Sequence, residues 1–169
     1  KDQQRLAQYV DEMGPVLQAE VIATADAGEV ITGAQAVVTC TPSRKPYVQA
    51  DWIHPGLHIT AMGADLPEKQ EFELDAIQRA DMLVCDRKSQ SFSMGEFHHA
   101  FEAGLISETS PVIELGEITA GIKPGRQSDD QFTICDLSGT GVQDTAIANL
   151  ALQQAAKKGI GIEIEIKRG

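Results

Sequence analysis

The sequence predicts an α/β domain built on a doubly wound, mostly parallel sheet, and three observations carry that reading. Short apolar runs recur at residues 36–41, 57–62, 82–85 and 132–135, each of the length of a buried strand. Stretches with helical apolar spacing stand between them, the alternation expected of strands joined by crossover helices. Breakers follow the runs at Pro42-Ser43 and Gly63, beside the carboxyl ends of the strands, where such sheets bind ligands. The chain opens on a helix rather than a strand, so it reads as the later part of such a domain, lacking its first β-α-β unit.

Residues 2–13 carry Leu6, Val10 and Met13 at i, i+4 and i+7, an amphipathic helix stopped by Gly14-Pro15. Residues 17–23 alternate towards a strand, and Asp26 caps a short helix reaching about Gly33. The run at 36–41 follows, then a turn at His54-Pro55-Gly56 and the run at 57–62. A helix is expected over 73–80 before the strand at 82–85, and Ser93 is positioned to cap another through Leu105. After the strand at 132–135, a long helix is expected over 142–158 with Val142, Ala146 and Leu150 on one face. Residues 162–166 alternate Ile and Glu strictly, as a half-exposed edge strand would, with Glu163 and Glu165 on its wet face.

Lys and Arg number 14 against 25 Asp and Glu, a net charge of −11. That balance argues against nucleic acid as a partner, because phosphate backbones are held by clustered Lys and Arg. Aromatic residues make up 5% of the chain, so the core must be aliphatic. No apolar run approaches the roughly 20 residues of a membrane helix, and neither a signal peptide nor a twin-arginine pattern is visible, which makes the cytoplasm the default location. Cys40, Cys85 and Cys135 are odd in number and lack C-x-x-C spacing, against both a disulfide framework and a structural zinc site. They read as buried small hydrophobes, or as three residues near one end of the sheet beside a ligand crevice.

Ala61-Met-Gly-Ala-Asp-Leu-Pro-Glu-Lys69, directly after a strand, is the most informative segment. Gly63 permits close backbone approach. Asp65 sits where a carboxylate can act as acid, base or amine anchor, and Lys69 is near enough to neutralise it. A capping Asp with a solvated Lys is the plainer reading. Asp136-Leu-Ser-Gly-Thr-Gly-Val-Gln-Asp144 joins a strand to the longest helix, and Gly139 and Gly141 form G-x-G before a helix N-terminus. Asp144 stands where a phosphate loop needs its third glycine, so a tight turn is the better reading. His98 and His99 follow Glu96 on a helix, but adjacent imidazoles point about 100° apart, so a polar face is expected and no metal. His54 and His58 read as structural, and Trp52 as packing against the sheet edge.

Taken together, these segments resemble the ornithine cyclodeaminase/mu-crystallin family. The resemblance rests on Val37-Val-Thr-Cys-Thr-Pro-Ser43, Trp52-Ile-His-Pro-Gly-Leu-His58 and Gly63-Ala-Asp-Leu-Pro-Glu-Lys69. It continues through Glu114-Leu-Gly-Glu-Ile-Thr-Ala-Gly121, Gly125-Arg-Gln-Ser-Asp-Asp130 and Phe132 to Asp144, in family order over nearly the whole chain. The wording of residues 136–148 looks most like the ectoine-utilisation branch.

The resemblance implies a protein about twice this length, with a Rossmann-type fold whose glycine turn lies upstream of Lys1. Residues 1–145 would be the remainder of the NAD(P)-binding domain, and 146–169 a helix and strand returning to the substrate and dimerisation domain. Asp65 matches the catalytic aspartate beside the substrate amine. Thr41, Met62, Gly63, Ala64, Lys69 and Leu137 match positions lining the NAD or NADP dinucleotide, and Ser138 a position near the substrate. The implied chemistry is hydride transfer between nicotinamide and an amine-bearing carbon through an imine, on a small amino or imino acid, in a homodimer. The missing half would come from the same or a companion chain, and residues 1–169 alone would bind dinucleotide poorly.

Two departures bear on the substrate. Cyclodeaminases usually read Asp-Ser-Val-Gly where this chain reads Asp136-Leu-Ser-Gly139, and Glu68 replaces a glycine. Both argue against ornithine and favour an imine or amino-acid oxidoreductase of ectoine catabolism. A non-catalytic nucleotide or small-ligand binding protein is the alternative.

Overall fold

The computed structural model describes residues 2–162 and 164. Two compact units divide the chain, Lys1–Ser138 and Gly139–Gly169. The first holds a five-stranded sheet. Its strands are β1 (Ala36–Thr39), β2 (His58–Ala61), β3 (Met82–Cys85), β4 (Ile113–Glu114) and β5 (Thr133–Asp136). They lie in the order β1-β2-β5-β3-β4 with every pairing parallel. The parallel α/β reading of the sequence therefore holds.

Period-two alternation decides which sheet face carries the core. Val37, Ile59 and Ile134 come into register on one face, with Ala61 and Cys85 a step further along. All five are buried, and Ile59 and Ile134 are fully so. Each fully buried Ile contributes roughly 1.5–3 kcal/mol of apolar burial. Leu57, Phe72, Ile77 and Phe97 complete this aliphatic-rich core. The opposite face carries His58, Thr60, Met82 and, on β1, Val38, which is 62% exposed.

The helices of the first unit are α1 (Gln3–Met13), α2 (Ala27–Gly33), α3 (Leu74–Gln78), α4 (Lys88–Met94), α5 (Glu96–Glu102) and α6 (Leu115–Thr119). Asp2 caps α1 and Asp26 caps α2, each accepting two backbone N–H bonds that the first helical turn cannot satisfy itself. Trp52 lies in a 3-10 turn, Ala50–Trp52, its indole packs on α2 at Gly28, and it lines one groove with Val37, Val38 and Thr39 of the edge strand β1.

Three expectations change. Residues 17–23 form no strand. They have no ladder partner among the described residues, Ile22 is 76% exposed, and alternation without a neighbour cannot satisfy the backbone. The helix expected from Ser93 to Leu105 is two helices, α4 and α5, broken at Gly95. A Cβ at Gly95 would lie within 3.0 Å of the Asp136 carboxylate, which instead accepts the free amides of Glu96 at 3.2 Å and Phe97 at 3.3 Å. Ser93 caps nothing; its hydroxyl donates to the Gln90 carbonyl at 2.9 Å. β4 and α6 carry no periodic signal of their own, being two and five residues long.

Gly95→Ala should therefore destabilise the fold by about 3 kcal/mol, since both the helix end and a buried carboxylate must move. Urea titration would show it as a lowered midpoint, and an unchanged midpoint would contradict the packing described.

The second unit contains α7 (Gly141–Lys158), with a capping box between Thr140 and Gln143 and Asp144 in its first turn. Gly139 turns the chain into it with a φ of 83°. Val142, Ile147, Leu150 and Leu152 on this helix are exposed. The edge strand expected at 162–166, with Glu163 and Glu165, lies largely outside the described residues. No described helix is long and apolar enough to cross a membrane.

Candidate functional site

Register brings the candidate residues to one edge. Thr39 pairs with Ala61, and Ala61 with Asp136, so β1, β2 and β5 end side by side. Thr41 leaves β1, Met62-Gly63-Ala64 leaves β2, and Leu137-Ser138 leaves β5 at neighbouring positions. Backbone bonds from Met62 N to Thr39 O and from Leu137 N to Ala61 O, both 2.8 Å, carry the ladder past the strand ends.

Asp65 and Lys69 meet in an ion pair on the loop after β2. Lys69 is mostly buried and Asp65 mostly exposed, at 19% and 57% side-chain accessibility. The Lys69 ammonium donates to the carboxylate and holds its pKa below the usual carboxylate value. His99 Nε2 donates to the Lys69 carbonyl at 2.7 Å, which anchors the loop to α5. Glu68, the departure noted in the sequence, pairs with Arg44 at 3.2 Å and links the loops after β1 and β2. Exposed on both sides, that pair contributes only about 0–1 kcal/mol.

Lys69→Met should let the Asp65 pKa rise towards its ordinary value. Any activity that needs the carboxylate then loses its acid limb at a higher pH than in the parent. A pH–rate profile would read the displacement, and an acid limb that stays in place would remove Lys69 from this role.

Ser138 turns away from the β1 side, its hydroxyl donating to Asp86 Oδ1 at 3.1 Å just beyond β3. Asp86 was not among the candidates, yet it stands at the same carboxyl edge. Thr41 turns inward, its N–H and hydroxyl both donating to Glu71 Oε1 at 2.7 Å. Ala64 is buried and Met62 is half exposed. A groove of about 1280 Å³ runs beside β1, lined among others by Val38, Thr39, Thr41, Pro42, Tyr47 and Trp52. Among the described residues, Thr39 Oγ1 is the buried side-chain polar atom left without a hydrogen-bond partner, on the same face of β1 as the core residue Val37. A wide groove with apolar walls beside strand ends suits the flat ring of a dinucleotide.

Sequence reasoning missed a set of buried acids. Glu71, Glu96 and Asp136 are at most 1% exposed, and none joins an ion pair among the described residues. Asp136 accepts from Ser91 Oγ as well as the two amides of α5. Glu96 accepts from Glu71 N at 2.7 Å and Phe72 N at 3.1 Å. Burial, reinforced by neighbouring carboxylates, pushes Glu96 up to about 8 and Asp136 up to about 6. In sequence Glu71 and Glu96 sit in polar stretches and look like surface acids. Only Asp136, directly after the short run at 132–135, carried a signal.

The remaining candidates resolve simply. Cys85 and Cys135 are buried and Cys40 is exposed, though all three lie near the carboxyl ends of their strands. Burial and the Asp136 charge raise the Cys85 and Cys135 thiols to about 12 and 11, so both stay protonated. His58 bonds Thr133 Oγ1 at 2.7 Å and His54 the Ala34 carbonyl at 3.0 Å, both structural. His98 faces Glu102 at 3.5 Å. No group of three metal-ligating side chains exists among the described residues.

The family model for ornithine cyclodeaminases and mu-crystallin matches residues 1–159. An uncharacterized cyclodeaminase of Sinorhizobium fredii is 44% identical over 161 residues, 95% of this chain and 49% of that protein. Among solved structures, an archaeal alanine dehydrogenase dimer with bound NAD is 34% identical with a TM-score of 0.83, over 97% of this chain and 50% of that one. The Thermococcus litoralis Δ1-pyrroline-2-carboxylate reductase, in complex with NADH and L-proline, is 26% identical with a TM-score of 0.90, over 96% and 50%. The chain thus spans about half the length of the relatives it matches. By that match over most of its residues, it belongs to the ornithine cyclodeaminase/mu-crystallin family.

Proposed function

We propose that the protein containing this chain is an NAD(P)-dependent oxidoreductase that interconverts an amine and an imine on a small amino or imino acid. One observation carries the reading most: Asp65, held ionised by Lys69, stands beyond a strand end beside the groove-lining loops. The dinucleotide, when bound, supplies or takes the hydride. This chain's residues would hold it through Thr41, the Met62-Gly63-Ala64 backbone and Leu137, with Lys69 behind the loop.

Asp65 would carry the charge chemistry at nitrogen. An ionised carboxylate cannot donate a proton, so its role in reduction is counter-ion to a substrate that arrives as the iminium cation. In oxidation it accepts the proton released when the amine is readied for hydride loss. The first role stabilises positive charge on nitrogen, and the second removes that charge as a proton so that the neutral amine can lose hydride. Ser138, turned to Asp86, would line the substrate side rather than act on the reacting carbon.

Two finer readings follow. The Leu137-Ser138 wording and the resemblance of residues 136–148 support a place in ectoine catabolism rather than ornithine cyclisation. The dimeric alanine dehydrogenase neighbour supports a homodimer. A second reading, a non-catalytic nucleotide or small-ligand binding protein, draws on the same ion pair, because Lys69 already satisfies Asp65.

The test is to titrate the complete protein with NADH and NADPH, then add cyclic and linear imino acids. Cofactor binding followed by imine-dependent oxidation is expected. Cofactor binding with no oxidation across the panel would favour the second reading, and no binding of either dinucleotide would exclude the first.

A further inference from the structure

The two loops assigned to the dinucleotide share one buried anchor. Glu71 Oε1 accepts from Thr41 N and Thr41 Oγ1, both at 2.7 Å, and from Tyr47 Oη at 3.0 Å. Its other oxygen accepts the Gly63 N–H at 3.1 Å. Three donors thus converge on one carboxyl oxygen and a fourth meets the other, so both loops and Tyr47 are gathered on this one side chain. Burial and the Glu71 charge raise the Tyr47 phenol well above its ordinary value, so it remains a donor. The fit around Gly63 is close: a Cβ there would lie within 3.0 Å of both the Thr41 carbonyl oxygen and the Glu71 carboxylate.

Glu71 is itself held. Its N–H and that of Phe72 donate to Glu96, whose own N–H donates to Asp136 at the end of β5. Its carbonyl accepts from Tyr47 N at 2.8 Å and Val48 N at 2.9 Å. A continuous run of buried hydrogen bonds onto carboxyl groups therefore leads from the middle strand of the sheet to the loops after β1 and β2. A residue needed only for core filling would be apolar; a buried acid here requires that these donors be gathered at one point.

Resting on the dinucleotide reading above, we propose that Glu71 is the positioning residue of the cofactor crevice, fixing the separation and orientation of the Thr41 and Gly63 loops. One chemical consequence follows for Thr41. Its hydroxyl proton and its N–H are committed to Glu71, and Ser43 N–H donates to its hydroxyl oxygen at 3.4 Å, so its side chain has one lone pair left to offer. Thr41 then takes a hydroxyl or amide N–H of the dinucleotide and not a phosphate oxygen.

The experiment compares the complete protein with its Glu71→Gln and Tyr47→Phe variants, reading NADH and NADPH affinity together with the KM of the imino substrate. Glu71→Gln puts an amide N–H₂ against donors, and dinucleotide affinity should fall about tenfold or more, the loss falling on the cofactor KM rather than the substrate KM. Tyr47→Phe removes one of four donors and keeps the ring, so a fall of about threefold is expected. A folded Glu71→Gln variant binding dinucleotide within about twofold of the parent overturns the proposal. Should that variant fail to fold, unchanged affinity in Tyr47→Phe overturns it. A parent that binds no dinucleotide overturns the functional reading and this one together, whereas a binding parent with equally good variants overturns this one alone.

Discussion

Asp65→Asn in the complete protein should lower kcat by about 10²–10⁴-fold, the range that one positioned acid–base group commonly supplies. The amide keeps the size and the loop position but loses the negative charge that faces an iminium nitrogen. Lys69 then loses its partner, though with 19% exposure it still reaches solvent. Affinity for the dinucleotide should change little, because Asp65 is assigned to the substrate amine and not to the cofactor. Steady-state kinetics with saturating cofactor would read the effect. Unchanged turnover would remove Asp65 from the chemistry and leave the ion pair as a loop anchor.

The second large effect is on stability. Glu96 is fully buried, faces the charges of Asp136 and Glu71, and has its pKa raised to about 8 from the ordinary 4.5. The folded state therefore keeps a proton through neutral pH that the unfolded chain has released. Folding binds a proton in that window, so stability falls as pH rises from about 4.5 to about 8, by up to about 1.4 kcal/mol per pH unit. Asp136, raised to about 6, adds the same sign below that value. Asp65 acts in the opposite sense, being lowered by Lys69, but its window lies below the usual 3.8.

Glu96→Gln removes the titration. Its amide accepts one of the two N–H groups now held and leaves the other unsatisfied, a cost of about 1–3 kcal/mol. The variant should start less stable in mild acid and then lose little more between pH 6 and 8, while the parent continues to fall. Urea midpoints across that range would show the two curves converging. A parent whose stability is flat or rising between pH 6 and 8 would mean that Glu96 is ionised in the fold.

Particular residues show how far the sequence could be read. α1 and β3 were legible almost to the residue, because apolar spacing and a Gly-Pro stop are local properties. The parallel sheet was legible for the same reason: short buried runs separated by helical segments leave few other arrangements. Residues 17–23 misled because alternation records only a tendency, and a strand exists only beside another. The break at Gly95 depends on Asp136, 41 positions away, so no local signal could announce it.

The candidate site divides along the same line. Asp65, Gly63 and Lys69 were legible because strand, glycine and charged pair fall within one short segment. Glu71 was not, because its meaning lies in donors from residues 41, 47 and 63, brought together only by the sheet edge. The hydroxyls of Thr41 and Ser138 were placed at the right strand ends, but their orientation, onto Glu71 and Asp86, was not readable.

Hydride transfer at an amine-bearing carbon, the proposed reaction, is open to one direct measurement. The complete protein is incubated with an imino acid and with reduced nicotinamide dinucleotide carrying deuterium at its transferable position, and the amine product is analysed by mass spectrometry and NMR. One deuterium is expected on the carbon that bears nitrogen, formed by the parent and at a greatly reduced rate by Asp65→Asn. Product without deuterium, or bound dinucleotide that no imino acid consumes, would contradict it.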